Sequence, residues 1–519
     1  MRCGFTTIAL YFTLLLSFFV SCDNADKVNM PTIEELQSWT CPEYTIDGKS
    51  VANELKHCVE TWSESMYADK YTNKYYQNNA ATLLWIDRMG VRREADTLMS
   101  YITKYDDLGL SQQAFALDTL QAMIDSVRNF NCSNHSAAKT LGSIEYLLTR
   151  AYMRYACGQR YGFINPRYTF NHLLVDQPAN SEKRSTTTYR RIFALDVEEA
   201  TDSFAHTAIE QIHQHRISDF LSSVQPTDTI YRQMRNEYHA AKQSGDTTRL
   251  RLASINMERA RWRYQRSNTG RYIFVNLAAQ QLTAVDTQRD TATTMLVCCG
   301  NATHKTPLLH SKISHVELNP YWVIPQTIVS KEIMPSHTGD SAYFARNRYR
   351  AINKETKEMV DPASLSAAEL RSARYTLRQD KGAGNSLGRV IFRFPNDFSV
   401  YLHDTNNHSA FQYANRAISH GCVRVEHPLD LALFFLENPT PLYVDQIRIA
   451  IDRAPLTAEG RRYQAAHPDA KSMPNISYSS PVDVWLDYWT LYPTPDGRME
   501  SYPDNYGYDR TIEKKLKSL

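Results

Sequence analysis

The sequence lacks charge of one sign: 58 lysines and arginines stand against 56 aspartates and glutamates, a formal net charge of +2. A chain so near neutrality has no basic field with which to hold a polyphosphate, so nucleic acid is not an expected partner. Long hydrophobic runs are absent after the first twenty residues, and no later segment reads as membrane-spanning. Neither a CxxC pair nor an HExxH helix occurs, which leaves any reading of a zinc site weak. What remains is a composition 42% hydrophobic and 22% charged, that of a folded globular protein. At 519 residues it is too long for one core, so two to four domains are expected.

The N-terminus, "MRCGFTTIALYFTLLLSFFVSC", has Arg2 followed by an apolar run from Ile8 to Val20, the length of a signal-peptide core. It ends in "FVSC", which resembles a bacterial lipobox. Residues 1–21 are expected to be a lipoprotein signal and Cys22 the lipidated residue, followed by a polar tether over 22–50. The expected location is the periplasm or cell envelope, with the chain held on a membrane by that anchor. An oxidising compartment recasts the cysteines. Of nine, Cys3 and Cys22 set aside leave seven, so at least one thiol stays free. Cys41 with Cys58, and Cys132 with Cys157, are plausible pairs. Cys298 and Cys299 end the apolar run "MLVCCG" and read as packing. Cys422 is the best candidate for the free thiol.

From 51 to 225, apolar residues recur at three- and four-residue spacing, as in "LGSIEYLLTRAYMRYACGQRYG", which predicts an all-α scaffold. Residues 226–265 read as a charged helical connector broken at Ser244-Gly245-Asp246. The texture then turns to β in "GRYIFVNLAAQQLTAVD" and "TATTMLVCCGN", and again in "GRVIFRFPNDFSVYLHDT". Between them lies an irregular, charged insertion, about 321–384, long enough to be a lid. The fold class is therefore α+β: a helical scaffold, then a β-rich domain over 266–455, with 456–519 completing it.

The chemistry concentrates in "ISHGCVRVEH", Ile418 to His427. A thiol attacks as thiolate, and a neighbouring imidazole can take its proton. His403 ends a strand whose alternation puts Tyr401 on its face, and His420 lies two residues before Cys422. Gly421 permits a sharp turn that aims amide N–H groups at an oxyanion, and Arg424 could hold a substrate carboxylate. A metal site from His403, His408, His420, Cys422 and His427, or a merely structural cysteine, are the alternatives at this point.

"HDTNNHSAFQYANRAISHGCVR", His403 to Arg424, resembles the signature of the YkuD-type L,D-transpeptidases. The flanking "INMERARWRY", "TPLLHSKISHVELNPYWVIPQTIVSKEIMP" and "RQDKGAGNSLGRVIFRF" resemble the large periplasmic YcbB-like branch. The resemblance implies a cysteine-dependent acyltransferase without cofactor or metal, acting on peptidoglycan tetrapeptide stems as donor and acceptor. It implies Cys422 as nucleophile, His403 as base, and Gly421 backbone with the Tyr401 hydroxyl as oxyanion holders. Ser419, His420 and Arg424 would shape the site, and the Asp404 carbonyl would orient His403. Tyr321 and Trp322 would line the lid's base, hinge packing being the other reading for the two aromatics, and Asn385 would bind substrate or shape the site. The branch usually carries a small peptidoglycan-binding module, for which the connector here leaves no room. Wall binding then falls to the catalytic cleft, the scaffold or a cell-wall synthesis partner protein.

Overall fold

The structure, a computed structural model, describes residues 31–32, 35, 40–41, 44–78, 82–87, 89–132, 134–173, 191–264, 270–468, 473–494 and 496–519. The expected signal and lipidated Cys22 lie outside these residues, as does the side chain of Cys41. No helix among the described residues is long and apolar enough to cross a membrane. The chain forms two compact units: 1–164 with 199–240 and 514–519, and 165–198 with 241–513. The connector expected over 226–265 is two helices, Thr229–Ser244 and Thr247–Arg261, and is divided between the units.

The first unit is helical and is organised on a 28-residue helix, Asn134–Tyr161. Leu141, Ile144, Leu148, Ala151, Tyr152 and Tyr155 recur at helical spacing along it and are buried. Three charged residues of the helix, Glu145, Arg150 and Arg154, are buried with them, which is tolerable only with partners. Arg154 grips Asp69 with Nε at 2.6 Å and Nη2 at 2.7 Å. Glu145 accepts from the Leu84 and Trp85 amides and from the Tyr76 hydroxyl. Burial nevertheless pushes its carboxyl up to about 7. Cys58 and Cys157 are unbridged, buried thiols, so neither expected disulfide is present. Both lie in a helical interior: Cys58 meets Ser143 and Glu54, and Cys157 faces the core of the long helix.

The second unit is built on a curled sheet. Its strands, in chain order, are β1 (Phe193–Ala194), β2 (Arg271–Asn276), β3 (Gln281–Asp286), β4 (Thr291–Gly300), β5 (Leu308–Ile313) and β6 (His315–Leu318). Four more, β7 (Trp322–Val323), β8 (Tyr349–Asn353), β9 (Met359–Val360) and β10 (Tyr375–Gln379), belong to the insertion. The chain then returns with β11 (Val390–Arg393), β12 (Leu402–His403), β13 (Ala417–Ser419), β14 (Val423–Val425), β15 (Asn475–Ile476) and β16 (Val482–Asp487). The main sheet runs β15-β6-β11-β12-β14-β4-β3-β2-β16-β5-β1, with β13 beside β4. Leu282, Ala284 and Asp286 alternate inward along β3, the pattern of a half-buried strand. Adjacent Cys298 and Cys299 on β4 are both fully buried, because protein covers the sheet on both sides there. The C-terminal β16 is inserted between β2 and β5, parallel to β2. It is thus an interior strand, third from one end of the sheet.

The insertion is not an irregular loop. Strands β7-β10-β8-β9 form a second, four-stranded sheet, packed on a core of its own that includes Ile324, Val329, Ile333, Phe344, Leu370 and Leu377. Its elements run to only two to six residues, too short for hydrophobic periodicity to register in the sequence.

Candidate active site

Two neighbouring strands gather the reactive side chains. β12 and β14 are parallel, with Leu402 opposite Val423 and His403 opposite Arg424. The Val423 amide donates to the Tyr401 carbonyl at 3.0 Å, which carries the register one residue back and sets Cys422 beside Tyr401. Side chains alternate along a strand, so Tyr401, His403, Cys422 and Arg424 share one face. Leu402, Val423 and Val425 turn into the core on the other. The Tyr401 and His403 ring centroids are 5.9 Å apart.

The turn before Cys422 is held by hydroxyls. Gly421 has φ +120°, which glycine alone adopts readily; a Cβ there would meet nothing closer than 3.8 Å, so conformation rather than crowding demands it. Ser419 Oγ accepts from the Gly421 amide at 3.1 Å and donates to the Cys422 carbonyl at 2.6 Å. Thr306 Oγ1 donates to the Gly421 carbonyl at 2.8 Å. The Gly421 N–H is therefore engaged inside the turn, whereas the Cys422 amide has no acceptor among the described residues. Of the two backbone donors, Cys422 N–H and not Gly421 N–H stands open to an oxyanion.

The ionisation states are those of a resting, uncharged pair. Burial pushes the Cys422 thiol up to about 11, against the pull of the Tyr401 amide and hydroxyl and of the Arg424 and Arg393 guanidiniums. Burial, and then the Arg424 charge, hold His403 down to about 3. Tyr401 is raised by burial and by the neighbouring sulfur, so its hydroxyl keeps its proton and can donate. Arg393 supports that ring, 5.5 Å above its centroid, and is itself held by Glu317 at 2.9 Å. His403 Nδ1 is buried without an acceptor at hydrogen-bonding geometry, although the Asp404 and Leu387 backbones lie close enough to favour the protonated ring.

The other expected residues fall around this centre. Asp404 presents its carboxylate away from His403, to the Arg389 amide at 2.7 Å. It packs on Gly388 (φ +66°), where a Cβ would lie 2.3 Å from the carboxyl carbon. Asn385 is fully buried and donates to the Pro320 and Asp380 carbonyls while accepting from the Leu387 amide. Its polar atoms brace the loop before β11, and none is left for substrate. Trp322 pairs with Gln379 across β7 and β10 and packs against the insertion's core, as hinge packing would have it. Tyr321 is 39% exposed, lies under Arg378 at 3.8 Å, and lines a cleft of about 600 Å³ with Arg350, Asp380 and Lys381. That cleft belongs to the insertion and contains neither Cys422 nor His403. His420 is turned outward, its Nε2 2.8 Å from Glu332 of the insertion. The histidines of the metal alternative are dispersed: His408 lies 3.6 Å from Asp404 and His427 3.6 Å from Glu426.

Sequence reasoning missed Thr306, Gly388 and Glu332. Thr306 and Glu332 meet the motif from more than eighty residues away, and no spacing rule reaches that far. Gly388, in "SLGRV" at the entry to a strand, carried the usual glycine signal for close backbone approach.

Residues 270–444 match the L,D-transpeptidase catalytic domain family, YkuD, and residues 70–237 match the Scaffold domain family. A Haemophilus influenzae protein named "Putative L,D-transpeptidase" is 29% identical over 309 residues, which are 59% of this chain and 58% of that protein. The chain thus spans little more than half the length of that relative.

Proposed function

We propose, from the premise that the chain carries a YkuD-type L,D-transpeptidase catalytic domain behind a Scaffold domain, that it joins peptidoglycan stems by 3→3 cross-links through a Cys422 thioester. The observation that carries this reading is the parallel register of β12 and β14, which sets thiol, imidazole, phenol and guanidinium on one face. His403 takes the Cys422 proton as the thiolate attacks the carbonyl of the third residue of a tetrapeptide stem. Because the imidazole is held neutral and the thiol protonated, both start in the form this transfer needs. The open Cys422 amide and the Tyr401 hydroxyl stabilise the tetrahedral oxyanion. Terminal D-alanine leaves with the proton from His403, and the amine of a second stem then breaks the thioester. Arg424, which makes no ion pair among the described residues, is suited to a donor-stem carboxylate.

Hydrolysis of the same thioester would make an L,D-carboxypeptidase, and a protein amine as acceptor would give wall anchoring. A catalytically silent, lipid-tethered wall-binding scaffold is the reading from another class. Incubation with purified disaccharide-tetrapeptide separates them: 3→3 dimers support transfer, tripeptide alone supports hydrolysis. A carbapenem should leave a mass adduct on Cys422, and no adduct would sink the enzyme reading. Cys422→Ala is expected to abolish adduct, dimer and tripeptide while leaving the circular dichroism spectrum unchanged. The envelope anchor at Cys22 is tested separately, by the mass of the mature N-terminal peptide.

A further inference from the structure

The first half-reaction, as derived, leaves one histidine and one carboxylate without a task. His420 Nε2 and Glu332 Oε1 are 2.8 Å apart, and the two side chains are 44% and 48% exposed. Both stand on firm supports. Glu332 rides on a π-helical turn, Val329–Ile333, whose end residues are buried in the insertion's core; such turns recur at functional sites because they shift side-chain register. His420 stands between Ser419 and Gly421, whose polar atoms are fixed by the hydrogen bonds of the turn, and its ring lies 5.1 Å from that of His304. Two residues of chain span at most about 7 Å, so the backbone of His420 is within that distance of the nucleophile's.

The Glu332 carboxylate lies at ion-pairing distance from Nε2 but outside hydrogen-bonding geometry, so it places a negative charge beside the ring and leaves Nδ1 as a nitrogen that can take a proton. His420 Nδ1 makes no hydrogen bond among the described residues, its ring meeting only that of His304 at 5.1 Å and the Glu332 carboxylate. Charges of both signs lie near the turn. The charges acting on Cys422 are the guanidiniums of Arg424 and Arg393, which suit a carboxylate-bearing donor and repel an ammonium. Glu332 supplies the opposite charge at the junction of turn and insertion.

We propose that Glu332 and His420 form the acceptor site for a primary ammonium, an inference that rests on the transpeptidase reading. The free oxygen of Glu332 binds the ammonium of the incoming stem, and His420 Nδ1 takes one proton from it. The neutral nitrogen forms the C–N bond, and the C–S bond breaks with its electron pair going to the Cys422 sulfur. The second amine proton returns to that sulfur through His403, and His420 passes the first to solvent. The result is an amide, a restored thiol and one released proton.

The test uses the full chain, disaccharide-tetrapeptide and a carbapenem, with Glu332→Gln and Glu332→Asp. The expected result is that Glu332→Gln still acylates on Cys422, while its ratio of 3→3 dimer to tripeptide falls by about tenfold or more at pH 7. That ratio recovers toward pH 10, where the acceptor amine loses its proton unaided, and Glu332→Asp restores part of it at pH 7. An unchanged ratio at both pH values overturns the proposal. So does an equal loss of acylation and dimer, which would make the pair a clasp on the insertion. Tripeptide as the sole product of the unsubstituted chain overturns the acceptor site and leaves the thioester standing. No Cys422 adduct at all overturns the transpeptidase reading and this inference with it.

Discussion

The resting charge state of Cys422 can be read directly from its alkylation rate as pH is raised. With the thiol pushed up to about 11, roughly one molecule in ten thousand carries a thiolate at pH 7, against roughly 3% for an unperturbed cysteine. Iodoacetamide should therefore modify the Cys422 peptide about 300-fold more slowly at pH 7 than a free thiol does. The rate should climb about tenfold per pH unit, so that moving from pH 7 to pH 9 accelerates it about a hundredfold, without a plateau. Tyr401→Phe sharpens the test, because it removes a hydroxyl that stabilises the thiolate. A hydrogen bond to a charged group contributes about 1.5–3 kcal/mol, so the variant should react about ten- to a hundredfold more slowly at every pH below 11, with the same slope. The assay is peptide mass spectrometry of Cys422, which separates it from the buried Cys58, Cys157, Cys298 and Cys299. A flat rate from pH 5 to pH 8 would reveal a preformed thiolate–imidazolium pair. That result would refute the neutral resting state, and with it the deprotonation by His403 on attack.

Gly388→Ala should cost about 2–4 kcal/mol, from a positive φ and a Cβ driven into the Asp404 carboxyl. Because Asp404 follows His403 on the chain, carbapenem acylation of Cys422 should slow by about tenfold or more, and a wild-type rate would show that His403 does not depend on this contact. In the helical unit, Glu145 is raised from 4.5 to about 7, so the folded state holds its proton where the unfolded chain has released it. The stability this confers is complete below pH 4.5 and is lost as pH rises through 7, by about 3 kcal/mol; urea unfolding at pH 5 and pH 8 measures it, and Glu145→Ala should flatten the difference.

Much of this architecture was legible because its signals are local. Helical spacing in "LGSIEYLLTRAYMRYACGQRYG" corresponds to the buried stripe of Asn134–Tyr161. Alternation in "QLTAVD" corresponds to the half-buried β3. The shared face of Tyr401 and His403 follows from a period of two, and the ring distance of 5.9 Å reflects it. What the residues alone left open was whatever depends on long-range pairing. That β16 would be inserted between β2 and β5, or that charged text between 321 and 384 would close a core of its own, is decided by contacts between segments that carry no common period. The cysteine pairs failed for a related reason: an expected compartment makes disulfides plausible, but only the fold says whether two thiols meet, and Cys58 and Cys157 are absorbed into a helical interior.

The same distinction bears on the turn around Cys422. A sequence places His420 beside the nucleophile and invites it to serve the thiol. The hydrogen bonds give the work of shaping the turn to Ser419 and Thr306, which pin the backbone on either side of Gly421. A turn fixed by two hydroxyls leaves the intervening side chain free to point outward, and that is where His420 meets Glu332. The proposed mechanism thereby divides proton transfer by position. His403, buried and held neutral, lies on the face of the sulfur, where the proposed mechanism has it serve the bond to the donor. His420, half-exposed and 2.8 Å from a carboxylate, is the histidine to which the proposed acceptor step assigns the cationic amine.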